Sequence, residues 1–252
     1  MKTLQQLIFI FALLTLVLPQ AGAQQNFLNK DYPVGKLSKM TEQHFSIDVT
    51  REPGEQLVLH KYFVCEFDKA GNRLIDREFD AMDNLLKKYS YENAKAKREK
   101  LVVTDAKGKL IRTVIYTYNE KGLLENDQSY DAAGKPETTF VYAYDDKGLL
   151  RENYSYLKAG EFEMKYSYTY DYKGNIDKTL CFTEGGNLVE ERQYKYNENG
   201  QVISELVKNE LGETLKSTTF QYVTDKKKNW IEKTVLVDKH PVNFIKREIV
   251  YN

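Results

Sequence analysis

Glycine recurs through the middle of the chain at 108, 122, 134, 148, 160, 174, 186, 200 and 212, in steps that alternate strictly between 14 and 12 residues. Nine glycines in that rhythm define a 26-residue repeat made of two turns. Three residues before each glycine stand Asp105, Asn119, Asp131, Asp145, Leu157, Asp171, Thr183, Asn197 and Asn209. Asp68-Lys69-Ala70-Gly71 is an earlier copy. Asp or Asn first and Gly fourth is the signature of a type I turn, with the first side chain capping the backbone. The glycine takes positive φ without a Cβ penalty, which closes a three-residue hairpin with a bulge. Each D/N-x-x-G is therefore expected to join two antiparallel strands.

The segments between turns support this. From Glu161 to Tyr170 apolar and polar residues alternate without a miss, the period of a half-buried strand. Eight residues after alternate glycines come Tyr116, Tyr142, Tyr168, Tyr194 and Phe220, and ten after come Tyr118, Tyr144, Tyr170, Tyr196 and Tyr222. The intervening strands carry Leu124, Leu150, Ile176 and Val202 two residues after their glycines, and Tyr130, Tyr156, Phe182 and Lys208 eight after. Pairing across the turns sets Tyr118 against Leu124, Tyr144 against Leu150 and Tyr156 against Phe162. All apolar columns are expected on one face.

The pattern extends outward. Phe45, Ile47 and Val49 alternate ahead of Pro53-Gly54, the expected first hairpin. Asp80 to Asp83 and Glu92 to Lys95 occupy turn positions without glycine, Asp225 to Trp230 reads as a lengthened turn, and Asp238 to Pro241 starts the last hairpin. The expected fold is all-β: about 16 strands of tandem antiparallel hairpins in one curled, twisted meander sheet, with a two-layer packing or a barrel as alternatives. Its first and last strands are expected to be open edges that invite pairing with another chain.

Met1-Lys2, the apolar run Leu7 to Leu18, Pro19 and Ala21-Gly22-Ala23 form a secretory signal peptide with expected cleavage after Ala23. That run is too short to span a bilayer. Residues 24–40 read as an N-terminal arm and 41–252 as a single repeat domain, clearest over 104–224. The expected product is exported, periplasmic or extracellular, and without a membrane span. In that oxidising setting Cys65 and Cys181 could pair, but they lie 116 residues apart and Cys181 falls on the expected polar face.

Tyr144-Asp145-Asp146-Lys147-Gly148-Leu149-Leu150, Tyr170-Asp171-Tyr172-Lys173-Gly174-Asn175-Ile176 and Tyr196-Asn197-Glu198-Asn199-Gly200-Gln201-Val202 resemble the Y-D-x-x-G-x-[LI] units of the Rhs/YD-repeat family. The resemblance covers roughly residues 64–235. It implies a spiralling β-sheet; long members form shells around a toxic C-terminal domain. This chain is too short to enclose a cargo, so the resemblance bears on the fold and not on toxin delivery.

Charge narrows the function classes. With 37 Lys+Arg against 37 Asp+Glu, nothing electrostatic favours nucleic acid or anionic lipid. His44, His60 and His240 are scattered, and no metal-binding or phosphate-binding motif occurs. Asp145-Asp146 offers too few oxygens for calcium, and turn capping accounts for it. Glu161/Glu163 and Glu190/Glu191 could serve as a carboxylate pair for glycoside hydrolysis, but polar-face solvation accounts for them. No catalytic, cofactor-binding or metal-binding residue is assigned, and no ligand-binding residue is identified. The expected function is a non-catalytic binding or scaffold protein acting on a protein partner or on itself through sheet edges. The alternative is a carbohydrate-binding module using a Tyr face, with Tyr142 and Tyr168 as its test positions; an unrecognised hydrolase is the third reading.

Overall fold

The computed structural model describes residues 33–52, 54–94 and 97–252. The expected signal peptide and most of the expected arm lie outside them. Sixteen strands follow in order: β1 Leu37–Ile47, β2 Leu57–Phe67, β3 Arg73–Asp80, β4 Leu85–Ala94, β5 Lys97–Asp105, β6 Leu110–Tyr118, β7 Leu124–Asp131, β8 Pro136–Tyr144, β9 Leu150–Tyr156, β10 Phe162–Tyr170, β11 Ile176–Phe182, β12 Leu188–Tyr196, β13 Val202–Asn209, β14 Thr214–Thr224, β15 Trp230–Val237 and β16 His240–Tyr251. Among the described residues the only helical element is one 3₁₀ turn, Lys158–Gly160. β1 begins four residues inside the stretch read as an arm.

The hairpin corners form as their chemistry dictates. At each D/N-x-x-G the fourth-residue N–H donates to the first residue's carbonyl, as Gly148 does to Asp145 at 3.0 Å. The Asp145 carboxylate accepts the backbone N–H of Lys147 and Leu149 at 2.9 and 2.8 Å. Gly148 has φ +78°. Two corners achieve the same φ without glycine, at Asp83 (+64°) and Lys228 (+65°). The last hairpin is tighter, with Asp238 and Lys239 both at positive φ, the conformation of a two-residue type I′ turn.

The meander closes. β1 pairs antiparallel with β16 from Leu37–Tyr251 to Ser46–Asn243, and the strand order is a closed 16-strand barrel. A curled open sheet was the leading expectation and the barrel only its alternative. Closure follows from an even number of right-twisted strands, which brings the first and last side by side in opposite directions. The open edges expected from the sequence satisfy one another, so neither is free to pair with another chain.

A second difference concerns the faces. Three residues beyond each turn glycine an extra residue enters the strand: Thr117 pairs with Asn126 and Tyr118 with Leu124, leaving Glu125 over. Arg151, Asp177 and Ile203 are left over in the same way. This β-bulge reverses the side-chain alternation for the rest of the strand. Leu124 shares a face with Asp127 and Ser129, while Tyr130 points the other way; Tyr156 and Phe182 follow Tyr130. The expectation of one face for every apolar column is corrected: the main Tyr columns share a face, and the Tyr130–Tyr156–Phe182 column lies on the opposite one.

One face is shielded. Leu124, Asp127, Ser129, Tyr142, Leu150, Asn153 and Ser155 are all buried, and ladder register puts them on the same side. No described element covers either side of the wall. In a closed single-layer wall only the inward side can be shielded, so this is the interior. Two clusters organise it, one around Tyr91, Leu101, Tyr116, Leu124, Tyr142 and Leu150, the other around Leu37, Met40, Phe63, Cys65 and Phe67. Cys65 and Cys181 are both buried and free. Cys181 pairs in register with Tyr166 on the interior side, not on the polar outer face expected for it.

Candidate functional site

The Tyr columns were the strongest candidate in the sequence, and the structure commits their hydroxyls to the wall. Tyr91 donates to Asp76 at 2.5 Å, Tyr142 to Asp127 at 2.6 Å and Tyr168 to Asn153 at 2.5 Å, each partner fifteen residues earlier. The next tyrosine in each repeat reaches a carbonyl twenty residues back: Tyr118 to Arg98, Tyr144 to Leu124, Tyr170 to Leu150, Tyr196 to Ile176 and Tyr222 to Val202, at 2.6–2.8 Å. The bulge explains this. The β7–β8 ladder ends at Asn126–Val141, so the Leu124 carbonyl lies beyond its last rung and takes the Tyr144 hydroxyl instead. Where the repeat lacks tyrosine, Asn93 donates its side-chain amide to the Arg73 carbonyl at 2.8 Å. Burial raises the pKa of Tyr142 and Tyr168 well above the ordinary value, which keeps both hydroxyls protonated as donors.

Charged groups share this interior. Arg247 donates to Glu42 at 2.6 Å, with its guanidinium 3.3 Å from the centre of the Trp230 ring, and His44 lies 2.8 Å from the other Glu42 oxygen. Burial works against the Glu42 charge, but Arg247 and His44 outweigh it and hold the carboxyl well below the usual range. Arg73 pairs with Asp76 at 3.0 Å. Arg192 reaches Glu190 and Glu205 at 2.5 and 3.1 Å. Arg98 is sandwiched, 4.3 Å from the centre of the Tyr91 ring and 5.8 Å from that of Tyr116. Asp127 differs from these: Tyr142 is the partner that lowers its pKa, and burial overrides it, pushing the carboxyl up to about 7.

The residues weighed for chemistry do not converge. His60 and His240 are exposed on β2 and β16, with β1 between them, and His44 is held by Glu42. Among the described residues no group of three His, Cys, Asp or Glu could hold a metal ion. Glu190 and Glu191, as strand neighbours, face opposite sides: Glu190 pairs with Arg192 inside, and Glu191 lies 3.5 Å from Lys178 outside. Glu163 is itself a bulge residue beside the turn residue Glu161. The Glu42–Arg247–Trp230 group was missed, because its members meet only when β1 closes on β16. Burial pushes the thiols of Cys65 and Cys181 up to about 12 and about 11, which suits structural rather than reactive cysteines.

The outer wall is asymmetric along the barrel axis, and this is the second candidate. One rim, the terminal rim, carries Leu37, Tyr251 and, among the fully described turns, 68–72, 119–123, 145–149, 171–175, 197–201 and 225–229; the far rim carries the alternate turns. Just below the far rim the bulges turn an aromatic column outward. Tyr156 meets Phe162 edge-on at 5.8 Å, and Tyr62 stacks on Phe79 at 4.8 Å and 8°. Tyr130 and Phe182 occupy equivalent positions two strands to either side of Tyr156, on β7 and β11. The equivalent outward positions near the terminal rim are Thr117, Ala143, Thr169, Lys195 and Gln221. Between the rims the outer wall carries ion pairs, with Glu152 facing Lys165 at 3.7 Å and Lys178 facing Glu191.

No family model and no curated protein matches the chain. Solved structures do. The chain is similar to a porin-like protein from Bacteroides uniformis ATCC 8492, at 15% identity over 86% of this chain and 99% of that one, with a TM-score of 0.57. A porin-like protein from Bacteroides vulgatus ATCC 8482 is 13% identical over 87% of this chain and 99% of that one, at a TM-score of 0.41. At such identity the first likeness speaks for the fold alone: the chain is an all-β antiparallel barrel of the architecture seen in that Bacteroides protein.

Proposed function

We propose that this is an exported, non-catalytic binding protein of the bacterial envelope, built from YD-like repeats, which presents the aromatic collar below its far rim to a protein partner. The observation that carries this reading is the one-sided outward turn of Tyr130, Tyr156, Phe162 and Phe182 above a mid-wall that carries the Glu152–Lys165 and Lys178–Glu191 pairs. A lipid-spanning barrel needs an unbroken apolar outer band about 25 Å tall, and a Lys or Arg at its middle costs about 2–4 kcal/mol. Lys165, Lys178 and Glu191 stand in that zone here, which supports a wall bathed in water. Apolar residues rimmed by charge on such a wall favour protein contact. Sugar stacking on the main Tyr columns has less support, since Tyr142 and Tyr168 are buried and bonded to their neighbours.

The test places a photo-crosslinking phenylalanine analogue at Tyr156, at Phe182 and, as a control, at Lys195 near the other rim, in the native host. The reading expects one discrete adduct from Tyr156 and Phe182 and none from Lys195. No adduct at either collar position, or equal labelling at all three, would overturn it.

A further inference from the structure

The far rim is acidic and the terminal rim close to balance, although the chain as a whole is neutral. The far-rim turns (48–56, 80–84, 105–109, 131–135, 157–161, 183–187, 209–213 and 238–239) hold twelve carboxylates against six Lys or Arg. The terminal-rim turns, with residues 34–36, hold seven carboxylates against eight lysines. The repeat itself produces this split. At the terminal rim the third turn position is Lys121, Lys147, Lys173 and Lys227, with Ala70 and Asn199 in the other two turns; at the far rim it is lysine at Lys107, and its other counterparts include Met82, Ala133 and Leu211. Both rims also carry exposed apolar tips, with Met82 79% and Leu211 75% exposed at one and Tyr172 92% exposed at the other.

We infer that the barrels associate end to end, the acidic far rim of one copy seating on the lysine-bearing terminal rim of the next. Charge and shape both favour a second copy as the occupant. The rims belong to one 16-strand ring, so they match in strand number and girth, as an unrelated cationic partner would not. The contact uses different surfaces on the two copies, so it is heterologous and propagates along the axis. A chain with no net charge has no long-range self-repulsion to oppose such stacking. The proposal stands apart from the collar, which lies on the side wall.

Sedimentation velocity of the mature chain across a concentration series tests it. Contacts between exposed charges are screened over about 10 Å at 0.1 M salt. The expected result is a weight-average sedimentation coefficient that rises with concentration at low salt and returns to the monomer value in 0.5 M salt. A triple variant at the terminal rim (Lys69→Glu, Lys147→Glu, Lys226→Glu) and one at the far rim (Glu52→Lys, Glu184→Lys, Glu210→Lys) should each stay monomeric alone. Mixed, they should associate again, because the unaltered far rim of the first meets the unaltered terminal rim of the second. All six positions are exposed, so circular dichroism is expected to show both variants folded; a variant that fails is replaced by its single substitutions. A monomer at every concentration in low salt, association that salt strengthens, or no recovery on mixing folded variants would overturn the proposal.

Discussion

The hydroxyl of Tyr144 donates to the carbonyl of Leu124, twenty residues earlier and one strand away, at 2.8 Å. The same bond occurs in four other repeats, so the tyrosine of each Y-D unit acts as a peg for a carbonyl that the bulge has put beyond the ladder. Removing the hydroxyl leaves that acceptor without its partner, a loss of about 1–2 kcal/mol. Tyr144→Phe should lower the urea midpoint by a corresponding amount with an unchanged m-value. Tyr130→Phe, whose hydroxyl only meets Gln128 on the outer wall, should shift it by no more than about 0.5 kcal/mol.

Tyr142→Ala should cost far more, about 3–5 kcal/mol, since it opens a cavity and strips Asp127 of its donor. Thermal unfolding followed by circular dichroism reads this directly. A variant as stable as the parent would return Tyr142 to the list of surface residues available for sugars.

The chain supplies its own control for Asp127, because one repeat later the same place is held by Asn153 beneath Tyr168. The folded-state pKa of Asp127, about 7, lies above the unfolded value near 3.8. Its contribution is therefore fully present below about pH 4 and lost as pH rises through 7. Asp127→Asn should remove that part of the pH dependence and be the more stable form at pH 8, by roughly a few kcal/mol at most. Chemical denaturation at pH 5 and pH 8 distinguishes the two slopes.

Glu42 has the opposite sign. Its folded pKa lies below its unfolded value, so its stabilisation is present at neutral pH and is lost as pH falls below the ordinary carboxylate range. Glu42→Gln should destabilise the barrel by about 3–5 kcal/mol at pH 7, because Arg247 is left buried without its counter-charge. The gap between variant and parent should narrow in denaturation curves taken toward pH 3.

Lys228 occupies the fourth turn position with φ +65°, where every other such corner but the one at Asp83 uses glycine. Lys228→Gly should relieve left-handed strain and raise stability by about 1 kcal/mol, seen as a higher melting temperature. Gly148→Lys, the reverse exchange at a φ of +78°, should lower it by a similar amount.

The strands and corners were legible because their signals are local: an Asp or Asn, two residues, a Gly, then alternation. Glu125, Arg151 and Asp177 were not legible as bulges. Around Glu161-Phe162-Glu163-Met164 the alternation continues unbroken, so nothing in the sequence marks Glu163 as the residue that drops out of register. One unmarked residue per strand sufficed to send Tyr156 and Phe182 outward and bring Cys181 inward. Closure was equally silent, since Phe45 and Phe244, or Glu42 and Arg247, lie some two hundred residues apart and carry no shared local pattern. The aromatic collar emerges only when the bulge rule is applied to the columns already visible in the sequence.

Each 26-residue unit begins and ends at the same kind of corner and adds one up-going and one down-going strand. Excising residues 150–175 would join Leu149 to Ile176 across equivalent positions and leave the β1–β16 seam oriented as before. The girth of such a wall is thus quantised in strand pairs, and duplication or loss of one unit resizes the ring without redesigning it.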